Sequence, residues 1–150
     1  MVSPELLKRF PLFAGLDEDF IEQLAMVADE VALADGVWLF HEGDKADAFY
    51  VVLRGAVQLR VRLPQSRYAD LDRLVEGHIV GWSAVCEPNF YTLSAFVPEG
   101  ARLLRLDGPA VRELMQARPE MGFAMMCQFA QEIARRLSDL RTRFVSVIAT

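Results

Sequence analysis

The chain has 150 residues, 53% of them hydrophobic and 25% charged, with a formal net charge of −5. That composition excludes a disordered chain and is enough to build a sizeable core, while the acidic balance argues against nucleic acid as a partner, because phosphate backbones demand a basic face. No apolar run approaches the roughly 18 residues of a membrane span, MVSPELLKRF lacks the pattern of a secretory leader, and Cys86 and Cys127, without metal or redox spacing, read as buried thiols. These absences point to a cytoplasmic protein.

In chain order, Ser3-Pro4-Glu5 reads as an N-cap followed by proline at the first helical position, opening a short helix through Lys8 or Arg9. After a break over residues 11–16, Asp17 is the expected N-cap of a helix from Glu18 to Ala28, with Phe20, Ile21, Leu24 and Val27 on one face. Residues 30–34 and 37–40 read as strands around the turn Asp35-Gly36. The stretch HEGDKADAFYVVLRGAVQL, from His41 to Leu59, is the most informative. Gly43-Asp44 marks a turn, residues 49–53 form a continuous apolar run of strand length, and residues 56–61 alternate with period two beyond Arg54-Gly55. Two strands around a tight glycine turn are expected to pair as a hairpin. Residues 63–66 form a loop, since Pro64 cannot donate to a central ladder. Residues 69–74, 91–97 and 102–106 read as further strands, with an irregular glycine-bounded segment over 77–88. Short strands with turns every 8–12 residues or so indicate an antiparallel sandwich or barrel.

Past Asp107-Gly108 the character changes. Pro109 opens a helix to about Ala117, and Pro119 opens a long one. In the latter, Met126, Ala130, Ile133, Leu137, Leu140, Phe144 and Val147 are spaced 4, 3, 4, 3, 4, 3, an a/d repeat. So narrow a seam suits a second copy of the helix, hence a homodimer; a helix lying on its own barrel needs a wider stripe, and that is the competing reading. Arg135, Arg136, Arg141 and Arg143 flank the seam and are expected to be solvated or paired with Glu132 and Asp139.

The phrase from His41 resembles the signature E/Q-G-[DE]-x-[AS]-x-x-x-[FY]-x-[VI]-x-x-G of the cyclic-nucleotide-binding domain family, matched by Glu42, Gly43, Asp44, Ala46, Tyr50, Val52 and Gly55. The order of helices, about eight short strands, then helices follows that family along the whole chain, and PEMGFAMMCQFAQEIARRLSDL resembles its dimer helix. The resemblance implies a mainly β fold with flanking helices in one domain, 1–150: N-terminal helices over 1–29, a cupin-like eight-stranded antiparallel β-roll (jelly roll) over 30–107, and C-terminal helices over 108–150.

It also implies a ligand site. The family holds its ligand in a phosphate-binding cassette, G-E-[LAMI]-[AGS] before a short helix and R-[ST/A]-A after it. The glutamate takes the ribose 2′-hydroxyl, the arginine pairs with the cyclic phosphate, and helix-start amides complete the anion site. Here Gly81-Trp82-Ser83-Ala84 falls on the first motif and Leu93-Ser94-Ala95 on the second. Trp82 thus stands for the glutamate and Leu93 for the arginine, a degenerate cassette that retains the backbone at Ser83, Ala84 and Val85 and the hydroxyl of Ser94. Ser83 is expected to N-cap the short helix. Trp82 either fills the vacated ribose space or walls the pocket with its ring face. Hydrogen bonds to charged groups contribute about 1.5–3 kcal/mol each, so the two replacements remove roughly 4–6 kcal/mol, or three to four decades of affinity. The nearby arginines that could compensate are Arg67, Arg73 and Arg102, and the long-helix positions at which some members hold the purine fall at Leu140-Arg141.

With only His41 and His78, far apart, the chain lacks the histidine cluster of a metal-dependent cupin, and no activated nucleophile or carboxylate pair stands out, which argues against an enzyme and against a metal. Two functional readings follow. One is a non-catalytic regulatory sensor in signal transduction, stand-alone because no DNA reader follows Thr150, in which a cyclic nucleotide or another small effector acts through the C-terminal helix on a downstream protein. The alternative is a ligandless dimeric interaction module whose pocket is filled by Trp82 and Leu93.

Overall fold

The computed structural model describes residues 1–149. Two short helices, α1 (Pro4–Leu7) and α2 (Glu18–Met26), flank a 3₁₀ turn over Pro11–Phe13. The caps form as expected: Ser3 Oγ accepts from the Glu5 amide, and Asp17 Oδ1 accepts from the Phe20 amide at 2.8 Å. Eight strands follow: β1 (Ala28–Leu33), β2 (Val37–Phe40), β3 (Ala48–Arg54), β4 (Val57–Leu63), β5 (Arg67–Leu74), β6 (Ile79–Val80), β7 (Ser94–Val97) and β8 (Ala101–Asp107). They make two antiparallel four-stranded sheets, ordered β1-β8-β3-β6 and β2-β7-β4-β5. Helices α3 (Gly108–Ala117) and α4 (Pro119–Ile148) close the chain, α3 capped by Asp107 on the Ala110 amide. The expected β-roll with flanking helices is the observed architecture.

The hairpin expected over residues 49–61 is not there. β3 pairs with β6 and β8, β4 pairs with β5 and β7, and the two lie in different sheets. Arg54-Gly55 is a corner at which the chain crosses from one sheet to the other. The reason is packing at the glycine. Gly55 has φ +86°, and a Cβ there would lie 3.0 Å from the Gly100 carbonyl oxygen and 3.1 Å from Ala101 Cα, so the turn is pressed on the β7–β8 connection. A period-two pattern around a glycine is the same whether the chain folds back or passes over. The strand expected from Tyr91 also starts late, at Ser94. Tyr91 is instead bound through its backbone to the Gly43-Asp44 turn, with Gly43 N–H to Tyr91 O at 2.8 Å and Tyr91 N–H to Asp44 O at 2.9 Å.

β3 is apolar on both faces because both are covered. Val51 and Val52 are wholly buried, and on the helix side the Phe49 ring meets Phe129 of α4 edge-to-face at 5.3 Å. α4 lies on the roll through Gly122, Met125, Phe129, Glu132 and Arg136, its buried residues. Gly122 permits the close crossing with α3, since a Cβ there would stand 2.8 Å from the Met115 carbonyl oxygen. This docked stripe is neighbour to the a/d seam, not identical with it. Along the seam Met126, Ile133 and Leu140 are half-buried and Ala130 is exposed, while Leu137, Phe144 and Val147 are 67%, 64% and 72% exposed. From residue 141 onward the described part of the helix is exposed.

Gly55 and Gly43 both have positive φ, but nothing lies within 4 Å of a Cβ at Gly43. Replacing Gly43 by Ala is therefore expected to cost only the backbone term, about 1–2 kcal/mol, whereas Gly55→Ala adds the clash with Gly100 and Ala101 and should cost about 2–4 kcal/mol in urea denaturation. Equal losses would contradict the corner geometry.

Candidate functional site

The segment between β6 and β7 forms the floor of the candidate site. Gly81 adopts φ +82° as N-cap of a 3₁₀ turn over Trp82–Ala84. A Cβ on Gly81 would lie 3.0 Å from the Tyr91 ring, so glycine is required there by space as well as by conformation. Tyr91 is a fixed point. Its ring stacks on Phe40 at 3.6 Å, its hydroxyl donates to the Ala48 carbonyl, and burial, reinforced by nearby Tyr50, pushes its phenol up to about 12. Asn89 Nδ2 donates to the Ser83 and Cys86 carbonyls at 2.9 Å, pinning the turn. Burial raises the Cys86 thiol above its ordinary value.

Several expectations for this segment change. Gly81, not Ser83, caps the turn, because only glycine takes the left-handed conformation there. The predicted amide cradle is mostly consumed: Ala84 N–H donates to Gly81 O at 3.1 Å and Val85 N–H to Trp82 O at 2.9 Å, since so short a turn needs them for its own closure. Val85 is the C-cap. Ala84 is buried, its carbonyl accepting from Arg112. Ser94 is fully buried and its Oγ accepts from the Glu42 amide at 2.9 Å, so the hydroxyl joins β7 to the turn before β3. Ala95 is buried in β7, paired with Phe40 and Leu59.

Trp82 and Leu93 do come together, as the shared wall of two adjoining chambers. The inner chamber holds about 40 Å³ and is bounded by Gly81, Ser83, Tyr91 and Thr92. The outer holds about 190 Å³ under α4 and is bounded by Leu71, Ile133, Leu137 and Leu140. Leu59, Trp82, Leu93 and Arg136 line both. The inner space accommodates water rather than a nucleotide.

The arginine of the site is Arg136, from α4. It is 6% exposed, and its guanidinium carbon lies 4.5 Å from the Trp82 ring centroid. Its Nη2 reaches Glu132 Oε2 at 3.4 Å, a long charge-assisted contact, and its Nε has no hydrogen-bond partner. Burial pulls the guanidinium down to about 10, opposed by Glu132 and Asp72, so it remains a cation at neutral pH. Glu132, also buried, accepts from the Ile79 amide at 3.1 Å and from Arg135 at 3.2 Å. Arg67, Arg73 and Arg102 do not line either chamber; Arg102 pairs with Glu30 and Arg73 borders a separate polar hollow beside Gly100. The expectation that Arg136 pairs with Glu132 holds, and solvation of Arg136 does not. A legible signal existed: residues 122, 125, 129, 132 and 136 repeat with the same 3, 4 spacing as the seam. No group of histidine, cysteine or carboxylate side chains suited to a metal occurs among the described residues, and no described helix is long and apolar enough to cross a membrane.

Comparison with known proteins agrees with the fold. The family model of the cyclic nucleotide-binding domain matches residues 30–118. The CRP-like cAMP-activated global transcriptional regulator of Mycobacterium tuberculosis is 27% identical over 146 residues, 97% of this chain and 63% of that protein. The chain thus spans less than two thirds of the length of that curated relative. Among solved structures, a Geobacter metallireducens protein named for cyclic nucleotide binding superposes with TM-score 0.83 at 28% identity, covering 91% of this chain and 99% of the other. The N-terminal domain of a Streptomyces coelicolor transcriptional regulator superposes with TM-score 0.68 at 32% identity, covering 93% and 94%.

A buried pair broken on one side leaves a charge without a partner, which costs about 3–5 kcal/mol, whereas replacing both ions by apolar groups is often neutral. Glu132→Leu is accordingly expected to destabilise by about 3–5 kcal/mol, and Glu132→Leu with Arg136→Met to recover the part due to the unpaired guanidinium, the Ile79 amide still lacking its acceptor. Urea unfolding of the four members of the cycle checks it, and a double variant as unstable as the single one would contradict the pairing.

Proposed function

The chain belongs to the cyclic-nucleotide-binding domain family, and from that premise we propose that it is a non-catalytic regulatory sensor whose effector enters the two chambers beneath α4 and changes how that helix meets a second copy. The observation that carries this reading is one of shared residues. Ile133, Leu137 and Leu140 line the outer chamber and are also members of the a/d seam. An occupant of the chamber therefore touches the side chains that a partner helix would touch. Occupancy and dimerisation become linked whenever the effector binds one helix arrangement better than the other, and the coupling is reciprocal.

The dimer is formed through Met126, Ala130, Ile133, Leu137, Leu140 and Phe144. The support is the exposure of Leu137, Phe144 and Val147 on a helix already docked by its neighbouring stripe. Side chains of that kind, repeating at heptad spacing, suit burial against an identical helix. The output is a change in the α4 pair that a downstream protein reads.

Cyclic nucleotides bind this site weakly. Trp82 and Leu93 occupy the cassette positions, and the chambers together fall short of the roughly 300–1,000 Å³ usual for drug-sized ligands. Cyclic AMP and cyclic GMP are expected to half-saturate only in the millimolar range, with a stabilisation at half-saturation of about 0.4 kcal/mol. Micromolar affinity in calorimetry would overturn the weakened cassette. For the assembly, light scattering is expected to give a dimer for the wild type and the 16.9 kDa monomer for Leu137→Asp combined with Leu140→Asp. A mass unaffected by the two aspartates would defeat the seam.

A further inference from the structure

The buried ions under α4 are Glu132 and Arg136; Arg135, which also reaches Glu132, and Arg143, which takes Asp72 at 3.2 Å, are more than half exposed. The one long contact to Glu132 leaves Arg136 incompletely satisfied: among these guanidiniums it alone lines the chambers, and it alone has a buried nitrogen without a partner. A buried donor without an acceptor is costly, and it is relieved by a ligand that supplies one. The chamber beyond it is apolar, with leucine and isoleucine walls apart from Asp72, whose carboxylate Arg143 engages. Its volume of about 190 Å³ is of the order that takes a single ring, since an apolar cavity of about 150 Å³ binds benzene. A nucleoside exceeds that volume, in keeping with weak binding of cyclic nucleotides.

We infer that the adjoining chambers are a receptor for a small amphipathic monoanion, a carboxylate on one ring or a short chain, whose head pairs with Arg136 against Trp82 and whose body lies among Leu71, Ile133, Leu137 and Leu140. The inference rests on the sensor reading above and names its effector class. The cation that reads the anion comes from the C-terminal helix itself. The contact that recognises the ligand is then also a contact of the moving element. Glu132 is the ligand's competitor: at 3.4 Å its hold on Arg136 is loose, and a carboxylate able to engage the guanidinium with two parallel bonds outmatches it.

The probes are benzoate, phenylacetate and 3-phenylpropionate, each with its amide as a neutral control. Trp38→Phe leaves Trp82 as the sole tryptophan, so its fluorescence reports occupancy. The acids are expected to bind at least about tenfold more tightly than the amides, the scale of a hydrogen bond to a charged group. Arg136→Gln should abolish that preference while leaving residual apolar binding. Glu132→Gln keeps a carbonyl acceptor for the Ile79 amide, removes the competing charge and should strengthen acid binding, so it tests the inference even where Arg136→Gln fails to fold. Equal affinity for acid and amide, a preference unmoved in both variants, or no binding of any acid at millimolar concentration would each overturn the assignment. The sensor reading fails separately. Acid binding that depends on Arg136 but leaves the dimer dissociation constant unchanged upholds the receptor and removes the coupling to α4.

Discussion

Everything distal to the roll hangs on one carboxylate. Glu132 projects from α4 into a place where water is excluded, and there it accepts the backbone amide of Ile79 in β6 and two guanidiniums. A buried charge is tolerable only when it is paired and hydrogen-bonded, so the position of α4 along the roll is set by where those donors are. A hydrophobic stripe alone would let the helix slide by small amounts at little cost. The ion adds direction to a contact that Phe49 and Phe129 otherwise make by area. The same helix carries Arg136 over Trp82, and with it the roof of the candidate site.

The fold was largely legible from the chain. Proline and glycine punctuation located the helices and every strand but β6, which lies in the segment 77–88 read as irregular, to within a few residues, because φ constraints at those residues act locally and independently of the tertiary structure. The false hairpin at Gly55 marks the limit of such reasoning. Whether a strand turns back or crosses to another sheet depends on what lies against the corner, here the backbone at Gly100 and Ala101, far along the sequence. Tyr91 illustrates the same limit. Its aromatic β-forming character suggested a strand, but its backbone is spent on a turn nearly fifty residues earlier.

The site was legible in part. Trp82 and Leu93 were picked out by their cassette positions and do share a wall. Arg136 was not, because charged residues four apart on a helix ordinarily describe a solvated face, and that expectation outweighed the 3, 4 spacing that puts Glu132 and Arg136 in line with Met125 and Phe129. The choice posed between a helix for a partner and a helix for its own barrel was also too simple. α4 carries two parallel stripes, one docked and one largely exposed.

Those two stripes differ by a single residue. Each docked position, Met125, Phe129, Glu132 and Arg136, is followed at once by a seam position, Met126, Ala130, Ile133 and Leu137. Successive residues on a helix are turned by about 100°, so the roll and a partner would grip α4 like two hands on adjacent quadrants of a shaft. Such a helix has little slack in its register. Deleting one residue after Gly122 would rotate the rest of the shaft by about a quarter turn and hand the partner's face to the roll. The protein can tolerate many changes of side chain along α4, but its length between the α3 crossing and Glu132 is counted to the residue.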